Sequence, residues 1–205
     1  MDRFFSKSAA RYARRFRRKG PDKPSKVLIE ALTSHDLQGK TILDVGCGSG
    51  DVHLTLLDRG AASAEGIDVS SGMLDQARDL ARSMGHESRV VYRQGDFLEQ
   101  EPSKQPADIV ILDKVLCCYE FPEKLIQKAA SRSGDFLALS YPSTSLLSAI
   151  SFRFMNRLGR LLRWSFYPFY HDPDLLLDLA VQSGLKPVFS DRTLIWQITI
   201  LRREQ

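Results

Sequence analysis

The sequence predicts an α/β fold: a doubly wound, mostly parallel sheet of seven strands with an antiparallel final strand, an N-terminal helical arm and a helical cap inserted after the fifth strand. From residue 40 onward, short apolar segments alternate with segments of helical periodicity, which is typical of a parallel sheet covered on both faces. The glycine-rich turn GCGSG, residues 46–50, follows the first apolar segment, where doubly wound folds bind ligands. Only Asp191 and Arg192 separate the last two apolar segments, which favours a hairpin.

The seven strands are predicted from short apolar runs bounded by polar or turn-forming residues. They cover residues 40–45, 64–68, 89–93, 107–112, 136–140, 187–190 and 193–201. The helices are predicted where apolar residues recur every three or four positions, and Ser70 or Ser71 is placed to cap the second of them. These helices run from the glycine turn to residue 58 and over residues 71–84, 122–131, 146–162 and 173–183.

Length and composition predict one globular domain and a cytoplasmic protein. The 205 residues are 43% hydrophobic, which is enough for one core. We divide the domain into an arm (1–35), a ligand-binding core (36–140), a cap (141–171) and a C-terminal helix with hairpin (172–205). No apolar run reaches the ~20 residues of a membrane span, and the N-terminus lacks the apolar segment of a secretory signal. The three cysteines match no zinc spacing, so we predict a reducing compartment and no metal site.

Positive charge is concentrated in the arm. Residues 1–26 hold ten Lys or Arg and two Asp, a net charge of +8, so the remaining residues carry −4 of the total of +4. Such an arm suits nucleic acid, anionic lipid or an anionic substrate, and it also resembles a transit peptide in composition. Phe5, Ala9, Tyr12 and Phe16 recur at helical spacing, however, which favours a helix that packs this stripe on the domain.

The glycine turn and its flanking acids indicate the class of ligand. Gly46, Gly48 and Gly50 permit a tight turn and a close approach to a ligand. A dinucleotide requires Gly or Ala where Asp51 stands, and a carboxylate there repels a pyrophosphate. No Gly-Lys-Ser/Thr follows, which excludes a phosphate-binding loop. Asp44 and Asp51 instead favour a cationic nucleoside without phosphate, and S-adenosylmethionine, with its sulfonium, is such a ligand.

These residues resemble a known family. ILDVGCGSGD, residues 42–51, is similar to the first motif of class I S-adenosylmethionine-dependent methyltransferases, in which two apolar residues and an acid precede G-x-G-x-G. The segments GIDVSSGML (66–74), YRQGDFLE (92–99) and ADIVILDKVLCCYE (107–120) resemble its later motifs in the same order. The resemblance implies a Rossmann-like methyltransferase fold, S-adenosyl-L-methionine as cofactor and S-adenosyl-L-homocysteine as product.

The resemblance also assigns roles to individual residues. Asp68 would accept hydrogen bonds from both ribose hydroxyls, Asp96 from the adenine amino group, and Tyr12 would close over the methionine carboxylate. Each acid alone is better explained by a turn, but four motifs in order at predicted strand ends make coincidence the weaker explanation. The implied cofactor contacts are Tyr12, Asp44, Gly46, Cys47, Gly48, Gly50, Asp68, Val69, Met73, Gly95, Asp96, Phe97, Asp113 and Lys114.

The cap segment leaves three interpretations open. Residues 136–171 contain no Asp or Glu but several arginines and aromatic residues. An amphipathic helix could pack Ile150, Phe154, Leu158 and Leu161 on the sheet with its arginines in water, or it could contact a membrane surface peripherally. It could also enclose a flat, apolar, possibly anionic small-molecule acceptor between aromatic rings and arginines. For that third interpretation we predict acceptor contacts from Tyr141, Arg153, Arg157 and Tyr170.

The order of elements, with the arginine-rich cap and the aromatic-histidine segment after it, is similar to magnesium-protoporphyrin O-methyltransferases. Those enzymes carry a histidine soon after the fourth strand, where this chain has Cys117 and Cys118. The acceptor therefore stays open as a small or medium-sized, apolar metabolite with an oxygen, sulfur or nitrogen nucleophile.

The resemblance implies methyl transfer by in-line displacement, which requires positioning more than proton transfer. We predict His171 and Tyr119 as the candidates for a base, His171 because of the usual pKa of imidazole. Two alternatives remain: a nucleic-acid methyltransferase using the basic arm, and a non-catalytic S-adenosylmethionine-binding module. Residues 113–116 do not form the Asp/Asn-Pro-Pro-aromatic tetrad that holds an extruded base, so we expect no nucleic-acid partner. The sequence predicts no oligomeric state.

Overall fold

The structure, a computed structural model, describes residues 2–100 and 105–204 and contains a seven-stranded sheet. The strands are β1 (Thr41–Val45), β2 (Ser63–Asp68), β3 (Val90–Gln94), β4 (Ala107–Asp113), β5 (Ser133–Pro142), β6 (Leu185–Arg192) and β7 (Trp196–Arg203). Their order in the sheet is β3-β2-β1-β4-β5-β7-β6, and β7 is antiparallel to both of its neighbours. The predicted α/β fold with an antiparallel final strand is confirmed.

Seven helices surround this sheet within the described residues. They are α1 (Asp2–Lys19), α2 (Lys23–Thr33), α3 (Asp51–Asp58), α4 (Ser71–Ser83), α5 (Glu123–Arg132), α6 (Leu146–Leu161) and α7 (Pro173–Gln182). The five helices predicted from residue 40 onward are all present. The N-terminal arm, predicted to be helical, consists of two helices. Asp22 caps α2 by accepting from the backbone N–H of Ser25, and Pro24 lies in the first turn of α2, where its missing N–H costs nothing.

The strand order reverses between β1 and β4, which creates the ligand crevice. β1 pairs in parallel with β2 on one side and with β4 on the other. The chain runs from β1 through α3 to β2 and from β4 through α5 to β5, so the connections after these two neighbouring strands diverge. Asp44 lies opposite Gly66 on β2 and Ile111 on β4. The carboxyl ends of β1, β2 and β4 therefore surround the point where doubly wound folds bind ligands. Buried side chains fill both faces of the sheet behind this edge.

The C-terminal hairpin turns two residues later than the sequence predicts. Asp191 and Arg192 still belong to β6, where they pair with Ile198 and Gln197 of β7. The turn is closed by Thr193, whose N–H donates to the carbonyl of Trp196 and whose hydroxyl oxygen accepts from the N–H of Trp196. This side-chain bond to the backbone stabilises the turn at Thr193 and not at the charged pair before it.

Helix α1 packs along α4, and its buried side only partly matches the predicted stripe, because Phe5 is half-buried and Ala13 is buried as well. Ala9, Ala13 and Phe16 are buried, whereas Tyr12 is 43% exposed. The N-terminus of α1 is joined to the start of α4, because Ser6 Oγ accepts from the N–H of Gly72 at 3.1 Å and bonds Ser70 Oγ at 2.8 Å. No room exists there for a larger residue, since a Cβ on Gly72 would lie 2.9 Å from that of Ser6.

Helix α6 packs on the domain through Phe152 and three small residues, and not through the apolar face that periodicity indicates. Its buried residues are Ser148, Ala149, Phe152 and Gly159. A Cβ on Gly159 would lie 2.5 Å from Tyr167 Cβ, so the helix approaches its neighbour closely on this side. Ile150, Phe154 and Leu161 point outward and are more than half exposed, and the predicted packing of that face on the sheet is wrong. No helix in the described part of the chain is long and apolar enough to cross a membrane.

Candidate functional site

A cavity of about 570 Å³ lies at the carboxyl ends of β1, β2 and β4, under the arm and the cap. This volume is within the range of small-molecule sites, about 300–1,000 Å³. The wall nearest the sheet comes from the segments that follow β1, β2 and β4. The opposite wall comes from α1, α2 and the cap. The predicted residues that line the cavity are Tyr12, Asp44, Gly46, Cys47, Gly48, Asp68, Val69, Met73, Gly95, Phe97, Asp113, Lys114 and Tyr119.

The glycine turn folds back on β2 and leaves its backbone open to the cavity. The N–H groups of Gly46 and Cys47 donate to the carbonyl of Ile67 at 2.7 and 3.1 Å. Gly46 and Gly48 have φ of 67° and 54°, a region that favours glycine. A Cβ on Gly46 would overlap Val115 Cγ2, whereas a Cβ on Gly48 would meet nothing within 4 Å. Gly46 is therefore required by the protein itself, and Gly48 leaves space for a ligand.

Asp68, at the end of β2, is positioned by two backbone donors. Its Oδ2 accepts from the N–H of Gly48 and its Oδ1 from the N–H of Ser70, both at 2.8 Å. Burial raises the pKa of this carboxyl, and the two backbone bonds oppose that shift. A carboxylate has about four acceptor sites, so each oxygen keeps a lone pair for a second donor. The side chain lines the cavity and can accept from a pair of vicinal hydroxyls.

Asp44 is held by a partner that sequence reasoning did not identify. His53 Nδ1 lies 2.8 Å from Asp44 Oδ2, and its Nε2 lies 2.9 Å from the hydroxyl of Tyr92. His53 is fully buried, on the first turns of α3, and Asp44 is 2% exposed. Burial raises the pKa of Asp44, and the bond to His53 opposes the shift. The hydrogen bonds that join Tyr92, His53 and Asp44 thus fix the Asp44 carboxyl group in the cavity lining.

Lys114 and the carboxyl groups of Asp22 and Asp113 form an ionic cluster between the arm and the sheet. Lys114 Nζ lies 2.8 Å from Asp22 Oδ2 and 3.3 Å from Asp113 Oδ2. Ser25 Oγ donates to Asp113 Oδ2 at 2.6 Å, and Ser140 Oγ donates to the other oxygen. Burial disfavours the charge of Lys114, but the two acids outweigh it and raise its pKa. Lys114 has φ of 61°, so the backbone after β4 is strained to place this ammonium.

We expect Asp22→Asn to lower the free energy of unfolding by about 1–2 kcal/mol at neutral pH, less than for a fully buried pair. Burial alone would raise the pKa of Asp22, but Lys114 and Ser25 lower it below its usual 3.8. Stability from this carboxylate is therefore present above pH 3.8 and is lost as the pH falls through the folded-state pKa. Urea unfolding of both proteins between neutral and acid pH measures the difference, with the exposed Asp75→Asn as control. A difference that does not shrink in acid would contradict this account.

The charges around the cavity favour a cationic ligand at its centre. Five carboxyl groups line it, against one ammonium among the described residues: Asp22, Asp44, Asp51, Asp68 and Asp113. Asp51 begins α3 and accepts from Ser49 Oγ at 2.7 Å, and burial raises its pKa. An acid at a helix N-terminus occupies the place where a phosphate would bind, which disfavours a dinucleotide.

The part of the cavity that follows β2 and β3 is apolar and suits a planar base. Val69, Met73, Gly95 and Phe97 line it. Asp96 lies between two of these residues but does not line the cavity itself. Its Oδ1 accepts from the Tyr119 hydroxyl at 2.7 Å and from the N–H of Leu98 at 2.9 Å.

The wall facing the sheet is aromatic and joins the arm to the cap. The rings of Phe4 and Phe5 lie 5.2 and 5.0 Å from that of Phe166. Phe152 and Trp196 meet edge to face with ring centroids 5.7 Å apart. These contacts are within the range of favourable aromatic pairs. The apolar residues of this wall are Phe4, Phe5, Phe152, Met155, Trp164, Phe166, Pro168 and Trp196.

The predicted acceptor contacts lie outside the cavity lining. Arg153 and Arg157 are exposed on α6, and the guanidinium of Arg153 rests 5.0 Å from the ring centroid of Tyr170. Tyr141 is buried in the core, with its hydroxyl 3.1 Å from Thr199 Oγ1. Tyr170 donates to the carbonyl of Ser143 at 3.4 Å. Gly50 is also absent from the lining and directly precedes α3 as its N-terminal cap residue.

Of the two predicted bases, Tyr119 lines the cavity and His171 does not. His171 Nε2 lies 2.8 Å from the carbonyl of Tyr119, so the imidazole holds the loop after β4, and burial lowers its pKa. Burial and the bond to Asp96 raise the pKa of Tyr119 well above its usual value. Burial likewise raises the pKa of Cys47. Neither Tyr119 nor Cys47 is therefore ionised at neutral pH.

Several site residues were missed because their positions depend on tertiary structure. Phe4 and Phe5 reach the cavity only because α1 docks on α4. Asp22 and Ser25 carried a local signal, since Asp-Lys-Pro-Ser is a typical helix start that predicts α2. No local signal joins Asp44 to His53, which lie together because the glycine turn returns α3 to the end of β1.

Comparison with known families and proteins agrees with this geometry. Residues 36–157 match the methyltransferase domain family. The ribosomal protein L11 methyltransferase of Hamiltonella defensa is 40% identical over 84 residues, which are 40% of this chain and 26% of that protein. The protein of the same name from Klebsiella pneumoniae is 38% identical over 84 residues, 40% of this chain and 27% of that one. The chain thus spans about a quarter of the length of these relatives.

Solved structures of similar fold cover nearly the whole chain. A magnesium protoporphyrin IX methyltransferase from Synechocystis PCC 6803 with bound SAH has a TM-score of 0.74 and 19% identity, covering 99% of this chain and 97% of that one. An S-adenosylmethionine-dependent methyltransferase from Mesorhizobium loti has a TM-score of 0.70 and 15% identity, covering 89% and 99%. At these identities the similarity establishes the fold.

Proposed function

Because this chain belongs to the methyltransferase domain family, we propose that it transfers the methyl group of S-adenosylmethionine to a small or medium-sized, apolar and aromatic acceptor. The observation that carries the proposal is the two-sided cavity. One side is a glycine turn with five carboxyl groups, and the other is a wall of aromatic side chains. The first side suits a cationic nucleoside, and the second suits a flat apolar molecule.

The residues on the sheet side fit S-adenosylmethionine. Asp68 offers its remaining lone pairs to the ribose hydroxyls, and Val69, Met73 and Phe97 provide the slot for adenine. Asp44, Asp113 and the glycine backbone would surround the amino acid and sulfonium end, beside Lys114, which is paired with Asp22 and Asp113. When bound, S-adenosylmethionine supplies an electrophilic methyl group on sulfur.

The protein contributes positioning and the exclusion of water. The rings of Phe4, Phe5 and Phe166 line the cavity, and the cap would hold the acceptor against the cofactor side. Fixing two reactants in line can supply ~7–11 kcal/mol of the barrier. The Tyr119 hydroxyl donates a hydrogen bond to Asp96 and keeps its proton, so it suits orientation of the acceptor more than proton removal. This favours an acceptor whose nucleophile ionises readily, such as a thiol, an acidic phenol or a carboxylic acid.

The experiment that tests this function is a turnover assay with methyl-labelled S-adenosylmethionine and a panel of aromatic thiols, phenols, quinols and carboxylic acids. We expect label in at least one apolar aromatic acceptor and formation of S-adenosylhomocysteine. Cofactor binding without transfer to any class would instead support a non-catalytic binding module. Labelled RNA with unlabelled small molecules would support the nucleic-acid alternative.

We expect Trp164→Ala to raise the KM for the acceptor about tenfold or more while the Kd for S-adenosylmethionine stays within about twofold. The Trp164 ring is part of the aromatic wall. Burial of a large apolar side chain contributes about 1.5–3 kcal/mol, and the acceptor would lose part of that contact energy in the variant. Steady-state kinetics and calorimetry give the two constants. Phe121→Ala, an exposed aromatic outside the cavity, is the matched control. Equal KM values for the two variants would show that the acceptor binds elsewhere.

A further inference from the structure

The outward face of α6 is apolar, although more than half of its area is exposed in the described structure. Ile150, Phe154 and Leu161 are 56%, 62% and 78% exposed. Their spacing of four and seven residues places them on one side of the helix, opposite the buried Phe152 and Gly159. Leu146 and Leu147 at its start and Leu162 just beyond its end are also exposed. Soluble proteins rarely expose a contiguous apolar surface of this kind without a partner.

Arginines flank this apolar face and have no role in the cavity. Arg153, Arg157 and Arg160 are exposed along one edge of α6, and Arg163 follows the helix. Residues 136–171 contain no Asp or Glu, so no acid of this segment neutralises them. The face therefore combines a strip of aliphatic and aromatic side chains with a row of positive charges.

The same helix also belongs to the cavity wall. Phe152 and Met155 of α6 line the cavity, and the following segment brings Phe166 against Phe4 and Phe5 of the arm. The arm carries the +8 charge of residues 1–26. A surface that contacted the outward face of α6 would therefore lie beside the aromatic wall of the cavity and near the positive charge of the arm.

We propose that the outward face of α6 docks on the surface of an anionic lipid bilayer. Amphipathic helices bind there by burying one apolar face to a depth of about 5–10 Å while Arg and Lys contact lipid phosphates. Nucleic acid would pair with the arginines but leaves the exposed Ile150, Phe154 and Leu161 without a function. A second copy of this chain would bring two rows of arginines together, and like charges oppose such a pair. Docking does not depend on methyl transfer, so lipid binding is its readout.

The test is co-sedimentation of the full chain with vesicles of phosphatidylcholine alone or mixed with phosphatidylglycerol. One variant combines Ile150→Ser, Phe154→Ser and Leu161→Ser, and another combines Arg153→Gln, Arg157→Gln and Arg160→Gln. The matched controls change exposed residues elsewhere: Leu175→Ser with Val181→Ser on α7, and Arg59→Gln with Arg78→Gln and Arg82→Gln. Circular dichroism and thermal unfolding identify any variant that does not fold.

We expect binding to the mixed vesicles and little to phosphatidylcholine alone. Each α6 variant should lose at least about tenfold in vesicle affinity while the controls retain theirs, because both apolar burial and charge contribute. Absence of binding by the unmodified chain, or equal loss in the controls, would overturn the proposal. So would RNA binding that the arginine variant abolishes and the apolar variant leaves unchanged, or a dimer in sedimentation that the apolar variant dissociates. If the folded apolar variant bound vesicles normally, the face would have no part in docking.

Discussion

Asp68→Ala is expected to weaken S-adenosylmethionine binding roughly 10- to 100-fold, since loss of the acceptor for the ribose hydroxyls costs ~1–3 kcal/mol. The change also leaves the N–H groups of Gly48 and Ser70 without their acceptor, which loosens the glycine turn. Asp68→Asn keeps the shape of the side chain and one acceptor oxygen, so its cofactor affinity should lie between those of the unmodified chain and Asp68→Ala. Calorimetric titration with S-adenosylmethionine and S-adenosylhomocysteine measures the effect.

The control for Asp68 is Asp79→Ala, an acid of α4 that pairs with Arg82 on the surface. Its cofactor affinity should match that of the unmodified chain. Thermal unfolding separates a loss of binding from a loss of folding. Unchanged affinity in a folded Asp68→Ala protein would contradict the assignment of this carboxylate to the ribose.

Gly46→Ala is expected to lower the free energy of unfolding by about 2–6 kcal/mol and to abolish detectable cofactor binding. The residue has φ of 67°, which costs a side chain about 1–3 kcal/mol, and its Cβ would overlap Val115, which costs about as much again. Urea unfolding followed by calorimetry checks both effects.

Gly85→Ala provides the matched control for the backbone cost. Gly85 has φ of 76° and a Cβ there would meet nothing within 4 Å, so its variant should lose only the conformational part. The double change Gly46→Ala with Val115→Ala should recover part of the stability that Gly46→Ala loses. Equal losses for Gly46→Ala and Gly85→Ala would show that the turn tolerates a side chain against Val115.

The sheet and the cofactor side of the cavity were predictable because their signals are local. Each strand is a short apolar run, and the glycine turn and Asp68 occur at strand ends that a parallel sheet gathers at one edge. The helices of the core follow from periodicity for the same reason. The error at the hairpin came from the side chain of Thr193, whose bond to the backbone outweighs the turn preference of Asp191.

The arm and the cap were less predictable because close packing decides which face of each helix is buried. On α6, periodicity indicates that Ile150, Phe154 and Leu161 face inward, yet the small residues Ser148, Ala149 and Gly159 allow the closer approach and bury their own side. The predicted contacts of Arg153 and Arg157 with the acceptor belonged to a separate interpretation, in which the cap encloses the acceptor. In the structure both arginines lie at the surface, beside the face for which we propose lipid docking.

The most direct test of the central claim is a crystal structure of the chain with S-adenosylhomocysteine. The account predicts the nucleoside across the ends of β1 and β2, with both ribose hydroxyls within hydrogen-bond distance of the Asp68 carboxylate and the adenine between Val69 and Phe97. A nucleoside bound outside this cavity, or one whose ribose has no contact with Asp68, would contradict it.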